Sequence, residues 1–254
     1  MIKNNKKTKN KDRFDIIFVS ASFLLFILFV ISVVWLKNSL YTAKDQAVSN
    51  FIKDYQEGLM SETADPFVSN RTVNSTLKLR PVDDDSDPSL GEKNAKVKIF
   101  YFSDFACPFC YEQEKVIKEV YDKFKGDVRI IWKDYPDLTS LQSFSYRAAK
   151  AARCAHEQNK FWEYNTSLYQ QEALFESLKD QLFVNLAENI KLNVDSFSSC
   201  LSRSGVDENI LSNVYEAEDL GIVGIPYIYV NDIDILGDVN EEGLEDIIKM
   251  ELNK

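Results

Sequence analysis

The sequence predicts an α/β domain whose elements run β-α-β, then a helical insertion, then β-β-α, behind an N-terminal transmembrane helix. Three observations predict it. Residues 16–36 carry no charge. The apolar run Val97–Ser103 leads straight into Cys107-Pro108-Phe109-Cys110 and a helical repeat. Near the C-terminus two short apolar runs flank the turn pair Asn231-Asp232.

The N-terminal segment comes first. About 20 apolar residues carry a helix across the hydrocarbon core, and residues 16–36 supply that length. Lys3, Lys6, Lys7, Lys9, Lys11 and Arg13 precede it, and a single Lys37 comes after it. This bias keeps residues 1–15 in the cytoplasm as a basic tail and exports the rest of the chain. The alternative is a cleaved secretory signal, whose apolar region is shorter and ends at a small-x-small site. The nearest such site here, Tyr41-Thr42-Ala43, has a bulky ring where a small residue is wanted. Either reading exports the later residues. The expected topology is therefore a single-pass protein of the cell membrane, with its C-terminal domain extracytoplasmic.

Residues 37–90 read as an extracytoplasmic spacer. Ala47, Phe51, Tyr55 and Leu59 give a short helical repeat, and the polar stretch 61–91 contains Pro66, Pro81 and Pro88. The run Asp83-Asp84-Asp85-Ser86-Asp87 reads as solvated linker, since it lacks EF-hand spacing. The domain proper is expected over 91–254. Val97–Ser103 is a buried strand. Pro108–Lys125 is a helix on Phe109, Val116, Ile117, Val120 and Phe124, closed by Gly126. Val128–Trp132 is a second strand, parallel to the first. Residues 138–220 read as helical, broken near Gln158-Asn159, Gln171-Glu172, Asn193 and Gly205. Ile225–Val230 and Ile233–Leu236 are strands, and 240–252 closes as a helix.

Composition excludes several functions. The net charge is −10, and the part after residue 37 is more acidic still, so phosphate backbones would be repelled and no nucleic-acid partner is expected. One histidine, His156, rules out a multi-histidine metal site or relay. It falls near a helix end and is expected on the surface.

The chemistry concentrates at Cys107 and Cys110. A cysteine at a helix N-terminus meets unpaired N–H groups and the positive end of the dipole, which stabilise a thiolate. Cys110 is one turn on, close enough to close a disulfide, and Pro108 suits the first helical turn. A mixed disulfide formed at Cys107 can then be resolved by Cys110. A structural zinc lacks further ligands, a haem site lacks a histidine after the second cysteine, and an inert short-loop disulfide contributes little stability. No metal and no cofactor are expected. Farther on, Gly224-Ile225-Pro226-Tyr227 opens a strand on a proline, a position where a turn, an edge or a cis bond occurs.

Together these residues resemble the DsbA-like thiol–disulfide oxidoreductases of the thioredoxin-fold superfamily. The match rests on Asp87-Pro88-Ser89-Leu90-Gly91, Phe102 through Cys110, Lys133-Asp134-Tyr135-Pro136, Gln158-Asn159-Lys160-Phe161-Trp162 and Gly224-Ile225-Pro226. The resemblance implies a thioredoxin fold with an inserted helical domain. It makes Cys107 the nucleophile and Cys110 the resolving cysteine. Pro226 becomes a cis-proline facing the dithiol, and the backbone of Ile225 pairs with an extended substrate. Pro108 and Phe109 complete the active-site loop. Three departures matter. Phe109 stands where some strongly oxidising members carry His, and Tyr101 stands where many carry a buried acid, so proton transfer at Cys110 must use water or another group. A His common after the Asp-x-Pro segment is absent from Leu138 to Tyr146.

Cys154 and Cys200 are even in number and exported, which reads as a structural disulfide worth on the order of 4 kcal/mol. Two buried free thiols are the alternative. Asp104 reads as a turn or cap residue. The expected activity is an oxidase that donates the Cys107–Cys110 disulfide to cysteine-containing exported polypeptides and is re-oxidised by a membrane redox partner. The competing readings are a disulfide reductase or isomerase, and a tethered chaperone-like binding module.

Overall fold

The computed structural model describes residues 80–254 together with Leu28, Phe29, Ile31, Ser32, Val33 and Trp35. The chain divides into two units, Met1–Asp65 and Pro66–Lys254. In the first, the described positions are helical, and Leu28, Phe29, Ile31, Val33 and Trp35 are exposed. Among the described residues no helix is long and apolar enough to cross a membrane. Apart from those positions, the segment 16–36 expected to span one lies outside the described residues. So do the basic tail and the spacer helix around 43–60.

In the second unit the elements are β1 (Ser89–Leu90), β2 (Val97–Ser103), α1 (Pro108–Lys123), β3 (Val128–Asp134), α2 (Phe144–His156), α3 (Phe161–Leu168), α4 (Glu172–Leu178), α5 (Asp180–Asn189), α6 (Val194–Leu201), α7 (Gly205–Asp219), β4 (Tyr227–Val230), β5 (Ile233–Leu236) and α8 (Glu241–Leu252). The sheet runs β1-β3-β2-β4-β5. β2 and β3 are parallel, from Val97 opposite Val128 to Ser103 opposite Asp134. β4 runs antiparallel to both β2 and β5, and β1 antiparallel to β3.

The central strands are apolar on both faces because both faces are covered. Val97, Ile99 and Tyr101 of β2 enter the larger core with Ile117 and Val120 of α1 and Ile248 of α8. Phe100 and Phe102 point the other way, into a smaller cluster with Ile131, Ala217 and Tyr229. α2 is the spine of the helical insertion. Its run Ala148, Ala149, Ala151, Ala152 and Ala155 is buried, and these small side chains let α3, α6 and α7 pack closely around it.

Several boundaries differ from the sequence expectation. β4 begins at Tyr227, because Pro226 has no N–H to give to the ladder. α1 ends at Lys123, before Gly126 takes a positive φ of 96°. Helix α2 begins at Phe144, capped by the Ser143 side chain, while 138–143 is turn. A break at Lys179, with φ 49°, separates α4 from α5 and was not expected. β1 was not expected either.

The acidic run 83–87 is solvated only in part: Asp84, Asp85 and Ser86 are exposed, but its two ends are tied to the domain. Asp87 is buried, and it binds Lys133 and Arg153. Asp83 pairs with Lys98 and Arg129. His156 is half-buried rather than on the surface, with its ring edge-on to Phe161. Burial, then the Arg153 charge, holds its imidazole below the usual range.

Candidate active site

Cys107 is the N-cap of α1. Its backbone is extended, and its Sγ accepts the Cys110 N–H at 3.1 Å. Pro108 occupies the first turn, where a missing donor costs nothing. Cys107 and Cys110 are disulfide-bonded, with Cα atoms 5.2 Å apart. The two ends of the bond differ sharply in access. Cys110 is fully buried and Cys107 is part-exposed. Pro108 and Phe109 stand in solvent, Phe109 at 68%.

The loop that delivers Cys107 is fixed by Asp104. Its carboxylate accepts from Ala106 N at 2.9 Å and from Ser145 Oγ at 2.7 Å, and its carbonyl accepts from Cys107 N at 3.1 Å. Burial pushes this carboxyl up, against the two hydrogen bonds. Beneath the disulfide, Tyr101 on β2 donates its hydroxyl to the Cys110 carbonyl at 2.6 Å. Its ring lies edge-on to Trp132, whose indole in turn stacks on Phe105.

The Ile225–Pro226 bond is cis, and Pro226 is buried. The register that sets Phe102 opposite Tyr227 brings Pro226 to the end of β2 from which the Cys107 loop departs. Val223, just upstream, is 86% exposed. On the helical side of Cys107 there is an open cavity of about 460 Å³, lined by Phe105, Phe109, Tyr111, Phe144 and Tyr169. Ile225 and Pro226 do not line it. Cys154 and Cys200 are both buried and disulfide-bonded, tying α2 to α6 across a sequence separation of 46. Among the described residues no group of three or more His, Cys, Asp or Glu could hold a metal ion.

Two buried charged groupings went unread as such in the sequence. Glu114, buried on α1 below Cys110, carries no motif. The cluster of Asp87, Lys133, Asp134, Arg153 and Asn213 had a trace: charged residues in an apolar strand and an alanine-rich helix, which only partners could hold there.

A part-exposed disulfide sulfur at a helix N-terminus, bonded to a fully buried one a turn further on, is the arrangement of a thiol–disulfide oxidoreductase. Residues 83–250 match the family described as Thioredoxin, and the chain belongs to it. Among curated relatives, the Na(+)/H(+) antiporter NhaA 3 of Salinispora tropica is 30% identical over 164 residues, 65% of this chain and 24% of that protein. The chain thus spans about a quarter of the antiporter relatives it matches. The Probable disulfide bond formation protein D of Bacillus anthracis is 27% identical over 174 residues, covering 65% of this chain and 78% of that one. A thioredoxin-like oxidoreductase from Silicibacter pomeroyi superposes with a TM-score of 0.59 at 23% identity, over 67% of this chain and 95% of that one. Oxidised BdbD from Bacillus subtilis gives 0.54 at 23% identity, over 66% and 94%. The fold is that of these DsbA-like proteins.

Proposed function

We propose that this chain is an extracytoplasmic thiol–disulfide oxidase that donates the Cys107–Cys110 disulfide to exported, cysteine-containing polypeptides. A substrate thiolate attacks Cys107 Sγ, and the electron pair of the broken S–S bond leaves on Cys110. A second substrate thiolate then attacks the mixed disulfide and expels Cys107 as thiolate. The observation that carries this reading is the asymmetry of the bond: Cys110 is fully buried, and Cys107 is part-exposed with its sulfur held by the Cys110 N–H. That N–H and the helix dipole stabilise the departing Cys107 thiolate, which favours giving the disulfide away. The partly exposed backbone of Val223-Gly224-Ile225 would pair with an extended substrate segment beside Pro226. The cavity lined by Phe105, Phe109 and Tyr169 would take an apolar side chain near the substrate cysteine.

In this reading residues 16–36 anchor the protein, the chain from 37 to about 82 forms the spacer, and the catalytic domain runs from the acidic run at 83 through β1 to residue 254. The basic residues before the apolar run support that orientation. A membrane redox partner would restore the disulfide. The reading is tested by Cys110→Ser, which should accumulate mixed disulfides through Cys107, while Cys107→Ser forms none and loses turnover. Equilibration against glutathione gives the direction. A potential as low as that of thioredoxin, about −270 mV, would make the protein a reductase instead.

A further inference from the structure

The cavity beside Cys107 has aromatic walls and an acidic rim. Tyr169 packs on Phe105 and on Tyr111, with ring centroids 5.2 and 5.1 Å apart, and the exposed Phe109 closes another side. Among the described residues that line it, only Glu112 of α1 and Glu172 of α4 are charged. Glu112 is neutralised by Lys115, whose ammonium lies 2.8 Å from its carboxylate and 3.9 Å from the centre of the Tyr111 ring. Glu172 is exposed, with no ion pair and no side-chain hydrogen bond among the described residues. The rim therefore carries one uncompensated negative charge.

A tight turn puts it there. Helix α3 ends at Leu168, Tyr169 is extended, and Gln170 takes a φ of 65°. That left-handed backbone is uncommon for a residue with a long side chain, and it persists only where the surroundings hold it. Tyr169 does the holding: it is buried against Phe105, and its hydroxyl lies 3.2 Å from Ser103 Oγ. Gln170 and Glu172 follow on the same turn, and both line the cavity.

An apolar side chain would use the walls and leave Glu172 idle. An arginine would use both. Its stem lies along apolar surface, its planar guanidinium stacks on aromatic rings, and its charge pairs with a carboxylate. An acidic side chain would meet Glu172 unscreened beside apolar walls and be repelled. In an extended segment, residues two apart share a face. The side chain that enters beside Cys107 thus stands two positions from the attacking cysteine.

We propose that Glu172 makes this cavity a subsite for an arginine two residues from the substrate cysteine. The protein then oxidises segments with a basic residue there ahead of segments with an acidic one. This deepens the oxidase reading and rests on it.

The test uses dithiol peptides that are identical except for Arg, Gln or Glu two positions from the first cysteine. Each is mixed with excess oxidised full-chain protein, and thiol loss is followed after acid quench. The wild-type protein should oxidise the Arg peptide about fivefold faster than the Glu peptide, the scale of an exposed charge contact. Glu172→Gln should lower that ratio to about twofold, and Glu172→Lys should bring it to about one or below. Any effect of the varied residue on the peptide thiol itself is common to all protein variants, so it cancels in the comparison. Glu188→Lys makes the same charge change at an exposed residue in the last turn of α5 that does not line the cavity, and it should keep the wild-type ratio. A wild-type ratio near one would overturn the subsite. So would a ratio that Glu172→Lys leaves alone, or one that Glu188→Lys lowers equally. In those cases the peptides are still oxidised and the oxidase reading stands. A wild-type protein that oxidises none of the three peptides would overturn both.

Discussion

Phe109 is 68% exposed between the two cysteines, and what it lacks sets the redox poise. It has neither a hydrogen to donate nor a charge to place against the Cys107 thiolate, which depends on the Cys110 N–H and the helix end instead. Phe109→His restores a donor at a solvent-facing position. It should shift the equilibrium with glutathione toward the reduced protein by about tenfold, which is about 30 mV more oxidising. No shift, or one the other way, would mean that the helix end alone fixes the thiolate. Asp104 gives the pH-dependent counterpart. Its carboxyl is raised by burial, so the folded protein holds that proton more tightly than the unfolded chain does. The stability it contributes is therefore complete below the ordinary carboxylate range, and is lost as pH rises through the higher folded value. Asp104→Asn cannot ionise. Its stability relative to wild type should improve steadily from acid to neutral pH, whatever constant penalty the altered hydrogen bonds impose. Urea midpoints at several pH values read this directly, and a flat difference would show that folding leaves the affinity of this carboxyl for its proton unchanged.

At the scale of elements, the helical insertion is held by what α2 buries. The Cys154–Cys200 bond clips that helix to α6, and both sulfurs are buried. Replacing both cysteines with Ala should cost on the order of 4 kcal/mol, the loop-closure value for this separation, and should leave the Cys107–Cys110 potential unchanged. Urea denaturation and glutathione equilibration measure the two parts separately, and a drift of the potential would show that the insertion is coupled to the site. Most of these elements were legible beforehand. Val97–Ser103 and Ile233–Leu236 coincide with β2 and β5, and Cys107 caps α1 where the Cys-Pro-Phe-Cys spacing put it. They were legible because their signals are local: periodicity, a proline at a helix start, an Asn-Asp turn. β1 was not, because Ser89 and Leu90 become a strand only by pairing with Ile131 and Ile130, far off in sequence. The break at Lys179 was not, since a lysine with positive φ carries none of the turn chemistry of Gly or Asn. Glu114 was hidden for a related reason. Its neighbours Tyr101 and Tyr169 come from distant segments, and nothing in α1 marks it as buried.

At the scale of the whole domain, one buried ionic cluster joins segments that share no other role. Arg153 of α2 donates to Asp134 on β3, to Asp87 in the segment before β1, to the Ser86 carbonyl and to Asn213 of α7. Lys133 binds the other oxygen of Asp87 at 2.6 Å, and Glu216 of α7. Trp132 donates its indole N–H to Asp134 at 2.7 Å, and Asn213 donates to Asp87 at 3.0 Å. The charges nearly balance, and each carboxylate oxygen of Asp87 and Asp134 meets a donor. Burying such a cluster need not stabilise the fold relative to an apolar one of the same shape, but removing a single member leaves its partners charged and dry. Arg153 is the member with the most partners. Arg153→Met keeps much of its volume and abandons two aspartates at once, so it should cost about 3–5 kcal/mol. For a domain of this size that is a fall in Tm of roughly 6–20 °C. Because the cluster fixes residues 86–87 against the sheet, the loss should first appear as faster amide exchange in β1 and at Trp132, whose N–H bonds to the Pro88 carbonyl at 2.8 Å. Arg153→Met combined with Asp87→Asn and Asp134→Asn removes the stranded charges and should recover part of the loss. If the triple variant were no better than the single one, geometry rather than charge would be holding these segments together. The Cys107–Cys110 exchange rate should change little in either variant, since Asp104 and Tyr101 position that loop without help from Arg153.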